Sequence, residues 1–206
     1  MRIFLTGATG YIGSAVLDAL VRAGHDVTAL VRHNEKAADV AARGAYPVIG
    51  NLGDPESYRG AADAQDGYVH TAFDASGRGE AVDRVAIETM IAAAKQPRTS
   101  GSLAPATPFV IYTSSVWVLG RTLEPAAEDA PLNPITLISW RPEHEQLVLD
   151  AASDHLRAVE VRPGIVYGGG NGIVGDLFKS AINGLVRVVG DGNNHWPLVY
   201  NRDLAD

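Results

Sequence analysis

The chain has 206 residues, 46% apolar and 20% charged, enough for one α/β unit with a real core and too apolar for a disordered segment. Its formal charge of −7 speaks against a nucleic-acid partner. With no cysteine, disulfides, thiolate metal sites and cysteine nucleophiles are excluded, and no metal centre is expected. No apolar run reaches the about 18 residues of a membrane span, so no membrane partner is expected. The apolar opening Ile3-Phe4-Leu5 breaks at Thr6-Gly7, too early for a secretory signal, and a cytoplasmic protein is the simplest expectation.

Ile3-Phe4-Leu5 reads as the first buried strand. Tyr11 to Ala23 then carries apolar residues at helical spacing (Ile12, Val16, Leu20), with Gly24 as its stop. Val27 to Val31 is a second strand, Glu35 to Ala42 a short helix, and Tyr46 to Ile49 and Tyr68 to His70 are further strands. Glu80 to Lys95 is a long helix ended by Pro97, and the stretch between Gln96 and Pro108 reads as an insertion or mobile loop. Phe109 to Tyr112 is a fifth strand, Leu137 to Ala152 a helix with Pro142 in its first turn or at a kink, and Ala158 to Val161 a sixth strand. This alternation predicts an α/β doubly wound parallel sheet in the order 3-2-1-4-5-6, a Rossmann fold. Residues 1–162 are expected to form the dinucleotide-binding domain. Beyond Pro163 glycines crowd the sequence, and residues 163–206 read as a small, partial substrate-binding lobe in which Asp203-Leu204-Ala205 opens another helix.

Thr6-Gly7-Ala8-Thr9-Gly10-Tyr11-Ile12-Gly13 joins the first strand to the first helix. In that context Gly7 permits the tight turn, Gly10 lets the backbone approach a diphosphate, and Gly13 brings helix and sheet together. Thr9, Tyr11 and Ile12 complete the loop, whose free amides and helix dipole favour a doubly negative group. An acidic residue after the second strand would bond a ribose 2′-hydroxyl, but this chain has Arg32 and then Lys36. A guanidinium fork and a point charge favour NADP over NAD, unless the two are simply a solvated basic pair.

These residues resemble the short-chain dehydrogenase/reductase superfamily, in its extended or atypical branch, the NAD-dependent epimerase/dehydratase type. Gly50-Asn51-Leu52-Gly53-Asp54 resembles its adenine-contacting segment, which implies Asn51 and Leu52 as cofactor contacts. Val69-His70-Thr71-Ala72 resembles the segment along the nicotinamide ribose, implying Thr71 and Ala72. Tyr112-Thr113-Ser114-Ser115 before Leu119-Gly120 resembles the strand carrying the catalytic serine, which implies Ser115. Arg162-Pro163-Gly164-Ile165-Val166-Tyr167-Gly168 resembles the stretch lining the nicotinamide, implying Pro163 and Gly164.

The superfamily's proton donor is a tyrosine in a Tyr-x-x-x-Lys helix, and no tyrosine lies between Tyr112 and Tyr167. Aligning on Glu145-Gln146-Leu147 puts Leu137 at the tyrosine position and Arg141 at the lysine position; aligning on aromatic character picks Trp140 and His144. Arg141 is then either a ribose ligand or a surface arginine. His144 is either a surrogate acid or, more simply, a helix-surface histidine. Ser115 either orients a carbonyl or closes a strand. Tyr167 is a candidate substrate contact near a strand end. Trp196, in Asn193-Asn194-His195-Trp196, belongs either to a substrate site or to a capped surface turn, the simpler reading.

The leading expectation is an NADP-dependent oxidoreductase acting on a small-molecule carbonyl or alcohol. A sugar-nucleotide epimerase or dehydratase and a non-catalytic NADP-binding sensor are the alternatives, and a homodimer is compatible with the chain.

Overall fold

Strand alternation decides how the sheet is buried. In the computed structural model, which describes residues 1–97, 107–188 and 190–206, six strands pair side by side in parallel. They are β1 (Arg2–Thr6), β2 (Asp26–Val31), β3 (Tyr46–Ile49), β4 (Gly67–His70), β5 (Phe109–Thr113) and β6 (Arg157–Val161). Their order is β3-β2-β1-β4-β5-β6, as the sequence predicts. Phe4, Leu30, Tyr68, Val110 and Tyr112 point to one face, while Ile3, Leu5, Val27, Ala29 and Val31 point to the other. Each face needs a helical cover, and burying a side chain such as Ile3 or Leu5 contributes about 2 kcal/mol.

The covers come from α1 (Tyr11–Arg22) and α2 (Asn34–Ala42) on one side. On the other lie α3 (Arg59–Ala62), α4 (Gly79–Ala94) and α5 (Arg141–Leu149). Helix α1 buries Gly13, Leu17 and Ala19 and ends where Gly24 takes a φ of +78°, matching the stop read in the sequence. The register aligns Thr6 with His70 and His70 with Tyr112, so the strand ends bearing polar groups converge at one edge.

Three expectations are revised. The helix read from Leu137 to Ala152 is shorter: Thr136–Ile138 forms a single 3₁₀ turn and α5 starts at Arg141. Pro142 lacks an amide to donate backwards, so the helix begins there instead of running through. The second correction is His144, which is fully buried and not on the helix surface. Third, the sequence reading missed a two-stranded parallel sheet of β7 (Ile165–Tyr167) and β8 (Leu198–Tyr200). It is accompanied by α6 (Gly172–Ile182) and α7 (Asn201–Ala205), and an ion pair from Arg22 to Asp206 fastens α7 to α1. Most of the loop expected between Gln96 and Pro108 lies outside the described residues. Among the described residues, no helix is long and apolar enough to cross a membrane.

Candidate functional site

The turn after β1 is built too tightly for side chains. Gly7 has a φ of +79°, and its carbonyl accepts the Gly10 amide at 2.8 Å. A Cβ on Gly13 would stand 2.1 Å from the Gly7 oxygen and 2.4 Å from Thr71 Oγ1. The glycine therefore lets the first turn of α1 rest directly on the ends of β1 and β4. Among the described residues no side chain caps α1, whose N-cap is Gly10. Its first-turn amides are left to an external acceptor, and the helix dipole favours an anion there. Thr9 is exposed beside this opening, with Tyr11 and Ile12 half-buried behind it. A dinucleotide diphosphate fits such a cradle.

Thr71 fixes the neighbouring wall, its amide and hydroxyl both donating to the Thr6 carbonyl at 3.2 and 2.7 Å. Ala72 follows, and its amide nitrogen occupies the space a Gly7 Cβ would need. Arg32, after the end of β2, is exposed; Lys36, on α2, lies 3.7 Å from Asp39. Ser76 donates to Asp74 and holds that carboxyl below its usual range, with Arg78 and Arg32 adding positive charge. Asn51 is exposed and turns its Oδ1 onto the Gly53 amide at 3.0 Å, while Leu52 packs against the core.

Ser115 follows β5 and caps a 3₁₀ turn, accepting the Trp117 amide at 3.2 Å. Its oxygen thus has an acceptor role filled, and its hydroxyl proton is available to a ligand. The serine lines a cleft of about 200 Å³ with Tyr11, Trp117, Ile165, Val166 and Ile173. Gly164 lies on the same wall, and the buried Pro163 holds the Val116 amide at 3.1 Å. Tyr11 donates to the Gly168 carbonyl at 2.8 Å, linking the glycine turn to the β7 loop. Tyr167 is partly exposed with its ring 5.6 Å from Tyr200, and Trp196 is exposed ahead of β8.

Arg141 is only 5% exposed, which removes the surface reading. Its Nη1 donates to the Thr113 carbonyl at 2.7 Å and to the Tyr112 hydroxyl at 3.3 Å. Its guanidinium lies 5.1 to 5.6 Å from the ring centres of Phe73, Tyr112 and Trp140. Leu137, at the tyrosine position, is 63% exposed and offers no proton. Two buried groupings escaped the sequence reading. Asp83 gathers His70, His144 and Tyr112, and Glu145 gathers Ser114 and Arg162.

The chain matches the model of the NAD dependent epimerase/dehydratase family over residues 3–206. It is 33% identical to a 4-hydroxy-2-methyl-3-oxo-4-farnesyl-3,4-dihydroquinoline-1-oxide ketoreductase of Stigmatella aurantiaca, with 82% of this chain and 51% of that protein aligned. It is 30% identical to a 2-alkyl-3-oxoalkanoate reductase of Stenotrophomonas maltophilia, covering 100% of this chain and 63% of that one. The chain thus spans between half and two thirds of those two relatives. Among solved structures, a UDP-glucose 4-epimerase of Thermotoga maritima superposes with a TM-score of 0.80 at 21% identity, covering 100% of this chain and 71% of that one. By fold, glycine turn and extent of the match, the chain belongs to the NAD dependent epimerase/dehydratase family.

Proposed function

We propose that this chain holds NADP(H) and serves an oxidoreductase that reduces a small, largely apolar ketone to its alcohol. The observation that carries the reading is the uncapped start of α1, framed by Gly7 and Gly13, at which a Cβ would collide with backbone, with Arg32 standing where an acid would select NAD. Bound NADPH supplies the hydride. The α1 amides grip the diphosphate, Arg32 takes the 2′-phosphate with Lys36 adding charge, and Asn51 and Leu52 border the adenine. Thr71, Ala72, Pro163 and Gly164 flank the nicotinamide end.

Ser115 donates a hydrogen bond to the substrate carbonyl oxygen and polarises it, and Arg141, tied to the Thr113 carbonyl two residues earlier, adds positive charge to that strand end. The proton that completes the alcohol comes from water, because Leu137 has none to give. The cleft's aromatic and aliphatic wall favours an apolar substrate, with Tyr167 and Trp196 as further contacts. The alkyl and farnesyl groups in the names of the two reductases agree with that preference. Leu137 also favours a second reading, a non-catalytic NADP-binding sensor.

NADPH fluorescence titration tests the cofactor. Arg32→Ala is expected to weaken NADPH by about tenfold or more and to leave NADH within about twofold. An equal loss for both removes the NADP assignment. Turnover on a panel of alkyl ketones tests the chemistry: Ser115→Ala is expected to lower kcat by about a hundredfold with the NADPH Kd unchanged. Tight NADPH binding with no consumption across the panel supports the sensor.

A further inference from the structure

Asp83 lies on α4 and is 4% exposed, yet it accepts three hydrogen bonds. His70 Nε2 reaches Oδ1 at 3.1 Å, while His144 Nδ1 and the Tyr112 hydroxyl reach Oδ2 at 2.8 and 2.9 Å. Two of these donors are the ends of longer chains. His70 gives its Nε2 proton to Asp83, so its Nδ1 accepts from the Thr6 hydroxyl, 2.6 Å away and one residue before Gly7. Tyr112 gives its proton to Asp83, so its oxygen accepts from Arg141 Nη1. His144 contributes a bond to Asp83, while its buried Nε2 has no partner among the described residues.

We propose that Asp83 is a positioning residue for the dinucleotide site, holding Arg141 through Tyr112 and the start of the glycine turn through His70 and Thr6. The three donors that meet Asp83 all run towards its carboxylate, and Arg141 Nη1, which also donates to the Thr113 carbonyl at 2.7 Å, joins them through the Tyr112 oxygen. Arg141 is a buried cation enclosed by Phe73, Tyr112 and Trp140, and the Asp83 charge is what compensates it in that apolar setting. Burial alone would push the Asp83 carboxyl up. The hydrogen bonds from His144 and His70, with the charge of Arg141, outweigh burial and hold it well below the usual range. Neither the glycine turn nor the helix that replaces Tyr-x-x-x-Lys contains Asp83, yet it connects them.

The proposal rests on the cofactor reading only for its effect on NADPH; the anchoring of Arg141 is measured without any ligand. In ¹H–¹⁵N spectra the wild-type guanidinium of Arg141 is expected to give resolved, slowly exchanging signals. Asp83→Asn should lose them together with the His144 ring-proton signal. Tyr112→Phe keeps the ring in the core and should lose only the Arg141 signals, so the test survives a poorly folding Asp83→Asn. The NADPH Kd is expected to rise about tenfold in Asp83→Asn and about threefold in Tyr112→Phe. Arg141 signals that persist in a folded variant overturn the proposal. A wild type that binds no NADPH overturns the cofactor reading instead, and the Arg141 signals still decide this one.

Discussion

Alanine at position 13 is expected to weaken NADPH binding by about a hundredfold or more and to lower stability by about 1 to 3 kcal/mol. The new methyl would lie 2.1 Å from the Gly7 oxygen and 2.4 Å from Thr71 Oγ1. Neither neighbour can retreat freely. The Gly7 carbonyl holds the Gly10 amide, and the Thr71 hydroxyl holds the Thr6 carbonyl. Relief requires α1 to lift away from the sheet, which displaces the amides that should meet the diphosphate and loosens the packing of Leu17. Gly10→Ala separates the two effects. Its Cβ would sit 3.2 Å from the Gly7 oxygen, a contact that a small shift relieves. That variant should unfold within about 1 kcal/mol of wild type yet bind NADPH poorly, because the methyl stands where the diphosphate must approach. Urea unfolding and fluorescence titration of both variants check the pair. Wild-type affinity in Gly13→Ala would contradict the close-approach argument.

The glycine turn was legible because its chemistry is local: strand, three spaced glycines and helix lie within one short stretch. The sheet order was legible for a similar reason, since alternating apolar runs and helices leave few topologies. The Asp83 network was not, because its members come from β1, β4, α4, β5 and α5. A signal was nevertheless present. Asp83 shares a helical stripe with Ala86, Ile87, Met90 and Ile91, all buried, and a carboxylate on such a stripe needs buried donors. His70 and Tyr112, polar residues in otherwise apolar strands, were those donors.

Helix α5 misled the reading for a different physical reason. Its buried face consists of Arg141, His144, Glu145 and Val148, so the usual rule that charges face water assigns the wrong side. Only the partners that satisfy those groups reveal the direction, and they are distant in sequence. β7 and β8 escaped because each has three residues and its partner lies more than a helix away along the chain.

Arg162→Met is expected to destabilise the protein by about 3 to 5 kcal/mol at neutral pH, with a deficit that shrinks in acid. Arg162 Nη2 lies 2.8 Å from Glu145 and 2.9 Å from Glu160, and its Nη1 donates to the Glu128 carbonyl at 2.9 Å. Glu145 is nearly buried, its other oxygen taken by the Ser114 hydroxyl. Burial, followed by the Glu145 charge, already raises the Glu160 pKa, and Arg162 opposes the rise. Without the guanidinium, two carboxylates face each other across a poorly solvated gap, and folding should raise the proton affinity of Glu160 further above the unfolded value of about 4.3. A folded-state pKa that is raised leaves stability intact below the unfolded pKa and removes it as pH climbs through the folded one. Unfolding in urea at pH 5 and pH 8 should therefore show the larger loss at pH 8, and adding Glu160→Gln should recover part of it. A deficit equal at both pH values would mean that packing, not charge, is what Arg162 supplies. The consequence reaches the cleft, because Arg162 leads directly into Pro163 and Gly164, and the Pro163 carbonyl holds the turn that begins at Ser115. A variant that still folds should consequently show a raised KM for the ketone of the proposed reaction as well as lowered stability.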